Sequence, residues 1–161
     1  MNPILIAVGK FVRDLMGYDE QLIRRGRVNF EREQFETAYI VIDQLGNFTR
    51  VGGMENYNWT TEQLQIGAMW KGIITLDFFG NGAHNRAIEF SLKAKSQKAA
   101  NLKNELGINI YNAKGFTDVK ALTGQQYGER VQIEMTVETS RDITIEALRI
   151  AVPQTEFLNE V

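Results

Sequence analysis

From Glu62 to Gly80 the sequence EQLQIGAMWKGIITLDFFG keeps a period of two without a break. Leu64, Ile66, Ala68, Trp70, Gly72, Ile74, Leu76 and Phe78 fall on one face, and Gln63, Gln65, Gly67, Met69, Lys71, Ile73, Thr75, Asp77 and Phe79 on the other. Side chains alternate across a strand, so this pattern predicts one very long or gently bent β-strand, with Gly67 and Gly72 as sites for a bulge or bend. A typical strand has about five or six residues, so one of this length outruns a compact core. The first half, Glu62 to Met69, is predicted to project beyond the domain, because Gln63 and Gln65 are easily solvated. The half from Trp70 onward is apolar enough for a central strand. A projecting strand with an apolar stripe at Leu64, Ile66 and Ala68 cannot satisfy itself alone, and this points to a protein that assembles.

The other elements follow from local pattern. Asn2 and Pro3 form a helix start, Ile4, Leu5, Val8, Phe11, Val12 and Leu15 make one apolar helical face, and Gly17 supplies a left-handed stop. Tyr18 to Glu36 is charged and contains IRRGR at Ile23 to Arg27, which reads either as a basic patch for phosphate or DNA or as a solvated loop or subunit rim. The acidic Asp19, Glu20, Glu31, Glu33 and Glu36 nearby favour the second reading. Thr37 to Leu45 is β-branched and aromatic, hence a strand. Phe48 to Thr61 reads as a long loop or hairpin tip whose Phe48, Met54, Tyr57 and Trp59 mark a contact surface or fold back over the sheet. After Asn81-Gly82, an amphipathic helix of about 20 residues runs to Gly107, with Lys93, Lys95, Lys98 and Lys103 largely off its apolar face. Ile108 to Tyr111 is a short strand, and Gly115 to Leu122 a turn with a short strand or helical turn. Glu129 to Thr139 alternates cleanly as a strand with one solvated face. Ser140 to Asp142 is predicted to turn, and Ile143 to Val152 to return as a strand, bulged at Glu146-Ala147 and ended by Pro153. The fold class is α+β: a largely antiparallel sheet, two main helices packed on one face, and a projecting long β-hairpin or loop. Residues 1–153 are expected to form one domain and 154–161 a C-terminal tail.

Composition narrows the chemistry. The chain has no cysteine, which removes disulfides, thiolate metal sites and thiol catalysis, and its single histidine, His84, removes multi-histidine metal sites. No phosphate-loop, dinucleotide-binding, nucleophile-elbow or HExxH pattern occurs. GNGAHN at Gly80 to Asn85 opens a helix but lacks a phosphate-loop lysine, and reads as a tight strand-to-helix turn. Asp43, Asp77 and His84 are the one loose set that a small enzyme or ligand-binding domain would use. Trp59 and Trp70 would stack bases only beside a basic groove, which a formal net charge of −2 does not suggest. No apolar run reaches the roughly 20 residues of a membrane helix. The N-terminus makes a poor signal peptide, so synthesis and use in a cytoplasm, or in something assembled there, is expected. Neither metal nor cofactor is expected.

Three stretches together resemble the tail-terminator, or neck-terminator, proteins of tailed bacteriophages, over about Ile4 to Val152. They are the opening helix ending at Met16-Gly17 with IRRGR and the strand TAYIVIDQL; the long strand closing in GIITLDFFGNGAHNRA; and the ending FTDVKALTGQQYGERVQIEMTVETSRDITIEALRI. The family's proline-rich approach to the first strand is replaced here by the acidic stretch Asn29 to Glu36. The resemblance implies a non-enzymatic virion protein forming a hexameric ring that caps the tail tube, stops its polymerisation and joins it to head-completion or connector proteins. DNA would pass through such a ring without sequence-specific binding, and the ring would be assembled in the bacterial host cytoplasm. On this reading Tyr57, Trp59, Leu64 and Ile66 lie at the subunit or tube interface, and Arg24, Arg25, Arg27 and Arg50 line a rim or the lumen. The alternatives are another ring-forming phage component, such as a tail tube or head-closure subunit, and a small α+β enzyme or ligand-binding domain.

Overall fold

A computed structural model describes residues 3–26, 38–118, 121–123 and 126–146. Asn2, Arg27, the stretch 29–36, the strand expected over 147–152, Pro153 and the tail 154–161 lie outside the described residues.

Helix α1 (Pro3–Met16) buries Leu5, Val8, Phe11, Val12, Leu15 and Met16, the face its spacing predicts. It stops where Gly17 takes φ +72°, with the Gly17 amide donating to the Arg13 carbonyl at 2.8 Å. Strand β1 (Ile23–Arg25) runs parallel to β2 (Tyr39–Asn58), which pairs antiparallel with β3 (Gln63–Phe79). Helices α2 (Ala83–Lys93) and α3 (Gln97–Leu106) follow, then β4 (Ile108–Asp118), a small ladder of β5 (Ala121–Thr123) with β6 (Gln126–Gly128), and β7 (Arg130–Glu146). The main sheet has five strands in the order β1-β2-β3-β7-β4, antiparallel except for β1. The protein is α+β, as the sequence implied.

One sheet face carries the core. Ile40 and Ile42, Ile74, Leu76 and Phe78, and Val131, Ile133, Met135 and Val137 form successive cross-strand rows, all buried against the three helices. Phe90 of α2 meets Phe11 of α1 edge-on at 6.4 Å and tilts against Phe78 at 6.0 Å, so one aromatic cluster ties two helices to the central strand. Fully burying an aromatic of this kind contributes about 1.5–3 kcal/mol. On the opposite face Asp77 is buried, and Arg130 donates to it through Nη2 at 3.1 Å. Arg130 also sits over the ring of Phe79, which stacks on Tyr39 at 4.8 Å.

Four expectations are corrected. The helix after Gly82 is two helices: Ser96 is extended, and its hydroxyl accepts from the Ala99 amide at 3.2 Å, capping a new helix. The break lets Phe90 and Ala99 both face the core, and α3 still ends at Gly107 in the left-handed region. The strand expected to end at Leu45 runs on: β2 continues and pairs with β3 out to Asn58 opposite Gln63, so of the two readings of Phe48 to Thr61 the structure has the hairpin and not the loop. Ser140 to Asp142 do not turn, because β7 pairs with β3 residue for residue from Arg130 opposite Phe79 to Glu146 opposite Gln63. The bulges sit in β2, between Leu45 and Thr49 and between Arg50 and Gly52, and not at Gly67 or Gly72 of β3, whose register with β7 has no shift. Two further segments are extended: β4 runs on through Asp118, and Ile23–Arg25 is a strand within the segment read as a basic patch or solvated loop.

Candidate assembly surface

β3 and β7 continue well past the last helix-covered row, and β2 accompanies them. β1 pairs only with Ile40–Ile42, and β4 pairs with β7 only as far as Thr139, so the distal part of the sheet is three strands wide. Its rows on the face continuous with the core can be read from the register. Arg50, Trp70 and Thr139 come first; then Gly53, Ala68 and Arg141; then Glu55, Ile66 and Ile143; then Tyr57, Leu64 and Ile145. The row before these is anchored by Phe48, whose ring lies on Gly72: a Cβ on Gly72 would meet it at 2.8 Å. Gly72 is therefore a seat for an aromatic ring at the boundary between the two parts of the sheet.

Trp70, Ala68, Ile66, Ile143, Tyr57, Leu64 and Ile145 carry the apolar stripe of the core onward without the cover of the helices, interspersed with Arg50, Arg141 and Glu55. Ile143 is 61% exposed, Ile145 and Trp70 are exposed, and Leu64 and Ile66 are half-buried by their neighbours in the sheet. Trp59, in the turn joining β2 to β3, is 73% exposed and meets Tyr57 edge-on at 4.7 Å. That turn is fixed by Asn58, whose side-chain carbonyl accepts from the amides of Thr60 at 2.9 Å and Thr61 at 3.3 Å, while Glu62 takes φ +53°. The other distal face mixes Gln63, Gln65, Lys71 and Asp142 with Met54 and Met69. The Gln65 amide donates to Asp142 at 2.6 Å, and Lys71 approaches Glu138 at 3.4 Å. The Tyr111 hydroxyl also donates to Glu138, which holds the phenol in its protonated form and raises its pKa above the ordinary tyrosine value, with burial acting in the same direction.

The structure thus places Tyr57, Leu64 and Ile66 on one displayed face with Trp59 at its end. Ile143, Ile145 and Trp70 belong to the same surface and were missed as site residues. The signal for the two isoleucines was present, because residues 131 to 145 hold one parity, and the polar trio Ser140-Arg141-Asp142 concealed it. The arginines do not gather: Arg24 and Arg25 lie in β1 beside Val41 and Ile42, whereas Arg50 sits between the β2 bulges, roughly 25 Å further along the strand at about 3.3 Å per residue. Arg24 lies 5.1 Å from the centre of the Tyr39 ring.

Between α1 and β1 lies a cavity of about 290 Å³. Buried Leu5 and Ile42 form its floor, with Ile6 and Ile23 beside them, and four cationic side chains with a single carboxylate complete the lining. Of these, Arg13 donates to Asp14 at 2.7 Å and reaches Glu20 at 3.8 Å. This hydrogen bond holds the Asp14 carboxyl below the usual aspartate range, against the opposing effect of burial. None of Asp43, Asp77 and His84 lines this cavity: Asp77 is paired with Arg130, and His84 packs edge-on against Phe116 at 4.7 Å. Among the described residues no group of three His, Asp or Glu side chains is placed to hold a metal ion.

An α+β subunit whose sheet runs beyond its core and displays the same apolar face defines an assembly component. Residues 2–160 match the phage neck terminator protein family, and the chain belongs to that family. Its role is accordingly structural, in the tail and neck of the virion. The chain matches no curated protein.

Proposed function

We propose that this chain closes with copies of itself into a ring, taken to be a hexamer, that caps the tail tube, stops its polymerisation and presents a surface to the head-completion or connector proteins. The observation that supports this is the uncovered apolar face of the distal sheet. Exposed isoleucines in line with a core are costly to solvate and gain from a partner surface. Tyr57, Trp59, Leu64 and Ile66 contribute to the subunit or tube contact, and Arg24, Arg25, Arg27 and Arg50 to a rim or the lumen. With a net charge of −2 per chain, the ring lets DNA through without holding it tightly. Assembly takes place in the bacterial host cytoplasm.

Native mass spectrometry of the purified protein over a concentration series tests the ring, with a six-chain species expected. Electron microscopy tests the terminator role: single rings are expected, whereas tubes of stacked rings would make the chain a tube subunit. A monomer at every concentration that also fails to join tails in an assembly extract would end this reading.

A further inference from the structure

We infer that the Trp59 tip of one copy seats in the α1–β1 cavity of the next, which names the contact partner within the ring reading and rests on it. Three observations lead there. First, Trp59 is a preformed anchor. Its ring is 73% exposed, it is braced by Tyr57, and the Asn58 side chain fixes the turn that presents it. An indole carries a large apolar area at low entropic cost, the property that makes tryptophan a frequent hot-spot residue. Second, the cavity is its chemical complement: an aliphatic floor of Leu5, Ile6, Ile23 and Ile42 with cations at the edge, suited to an aromatic face. Third, the charges match in sign. The distal rows and turn carry Glu55, Glu62, Asp142 and Glu146 against Arg50 and Arg141, with Lys71 paired to Glu138, while the cavity lining carries Lys10, Arg24 and Arg25 beside the Arg13–Glu20 contact.

The two surfaces of one chain cannot meet each other. Ile42 of the cavity floor and Trp59 lie at opposite ends of a single paired strand, on the order of 50 Å apart at about 3.3 Å per residue. The anchor must therefore enter another molecule. A contact between two different surfaces of identical chains is heterologous, and repetition of it either closes a ring or grows a filament.

The absence of cysteine allows a clean test. Thr60→Cys, which leaves the Trp59 indole in place, and Ile6→Cys, both at exposed positions, are made separately, mixed, and oxidised with copper phenanthroline. The expected product is a disulfide dimer joining one chain of each variant, and the double variant should give a ladder of linked chains. Trp59→Ala should weaken self-association by about 30-fold or more, the loss of a hot-spot residue. Rings that form normally without the mixed disulfide would overturn the cavity contact and leave the ring reading intact. A Trp59→Ala chain that self-associates normally but no longer joins tails would overturn it too, assigning the tip to another tail protein. Loss of self-association in the wild-type chain itself would instead strike the ring reading.

Discussion

The proximal and distal halves of the central sheet share the strands β2, β3 and β7, with β3 and β7 in one register throughout and the apolar stripe of β3 on the same face in both. Proximally, Ile42, Leu76 and Ile133 make a row that the helices bury almost completely. Distally, Glu55, Ile66 and Ile143 make the corresponding row, and Ile143 stays 61% exposed. β3 pairs with β7 in the same way in both halves; what differs is that β1 and β4 flank, and α1, α2 and α3 cover, only the proximal half. A row under helices serves folding, whereas the same row without them is left to serve association.

The largest effect should come from the covered half. Phe78→Ala removes a fully buried ring from the cluster with Phe90 and should cost about 3–5 kcal/mol in denaturant unfolding. A loss below about 1 kcal/mol would mean that the proximal half is not the stabilising one. At the boundary, Gly72→Ala forces the Phe48 ring off its seat and should cost about 1–3 kcal/mol. Combining it with Phe48→Ala should give less than the sum of the two single changes, because both act on one contact. In the distal half, Ile66→Asp should change unfolding by about 1 kcal/mol or less while abolishing self-association in sedimentation. If it unfolded the protein as badly as Phe78→Ala, the contrast between the halves would collapse.

The smallest effect is electrostatic and marks the border between the halves. Tyr111 is raised by its bond to Glu138, so the stability it lends is complete below the ordinary tyrosine pKa of 10.0. That contribution is lost as pH rises through the higher folded value. Glu138→Gln should bring the ultraviolet phenolate transition of Tyr111 back toward 10.0. An unchanged transition would place the cause elsewhere.

Much of this architecture is legible in the chain, for identifiable reasons. The α1 face, the Gly17 and Gly107 stops and the β3 alternation are local patterns written in neighbouring residues, and they form as written. β2 beyond Leu45 could not be read. Two bulges shift its phase, and Gly52-Gly53 and the asparagines imitate a loop until β3 supplies the pairing that holds them extended. The 140–142 segment of β7 failed for the same reason, since a polar trio that signals a turn in isolation is held straight by Met69, Ala68 and Gly67 opposite. The split between α2 and α3 depends on a single serine, whose capping role only the docking of Phe90 and Ala99 makes worthwhile.

Sequence alone settled the alternation of β3 and so the identity of the apolar face, because side-chain direction in a strand is fixed by the backbone period. Where that face is hidden and where it is displayed was decided in three dimensions, because cover is a property of which helices reach which rows. The cavity between α1 and β1 likewise exists only once distant segments meet, since no stretch of chain encodes a space between two others.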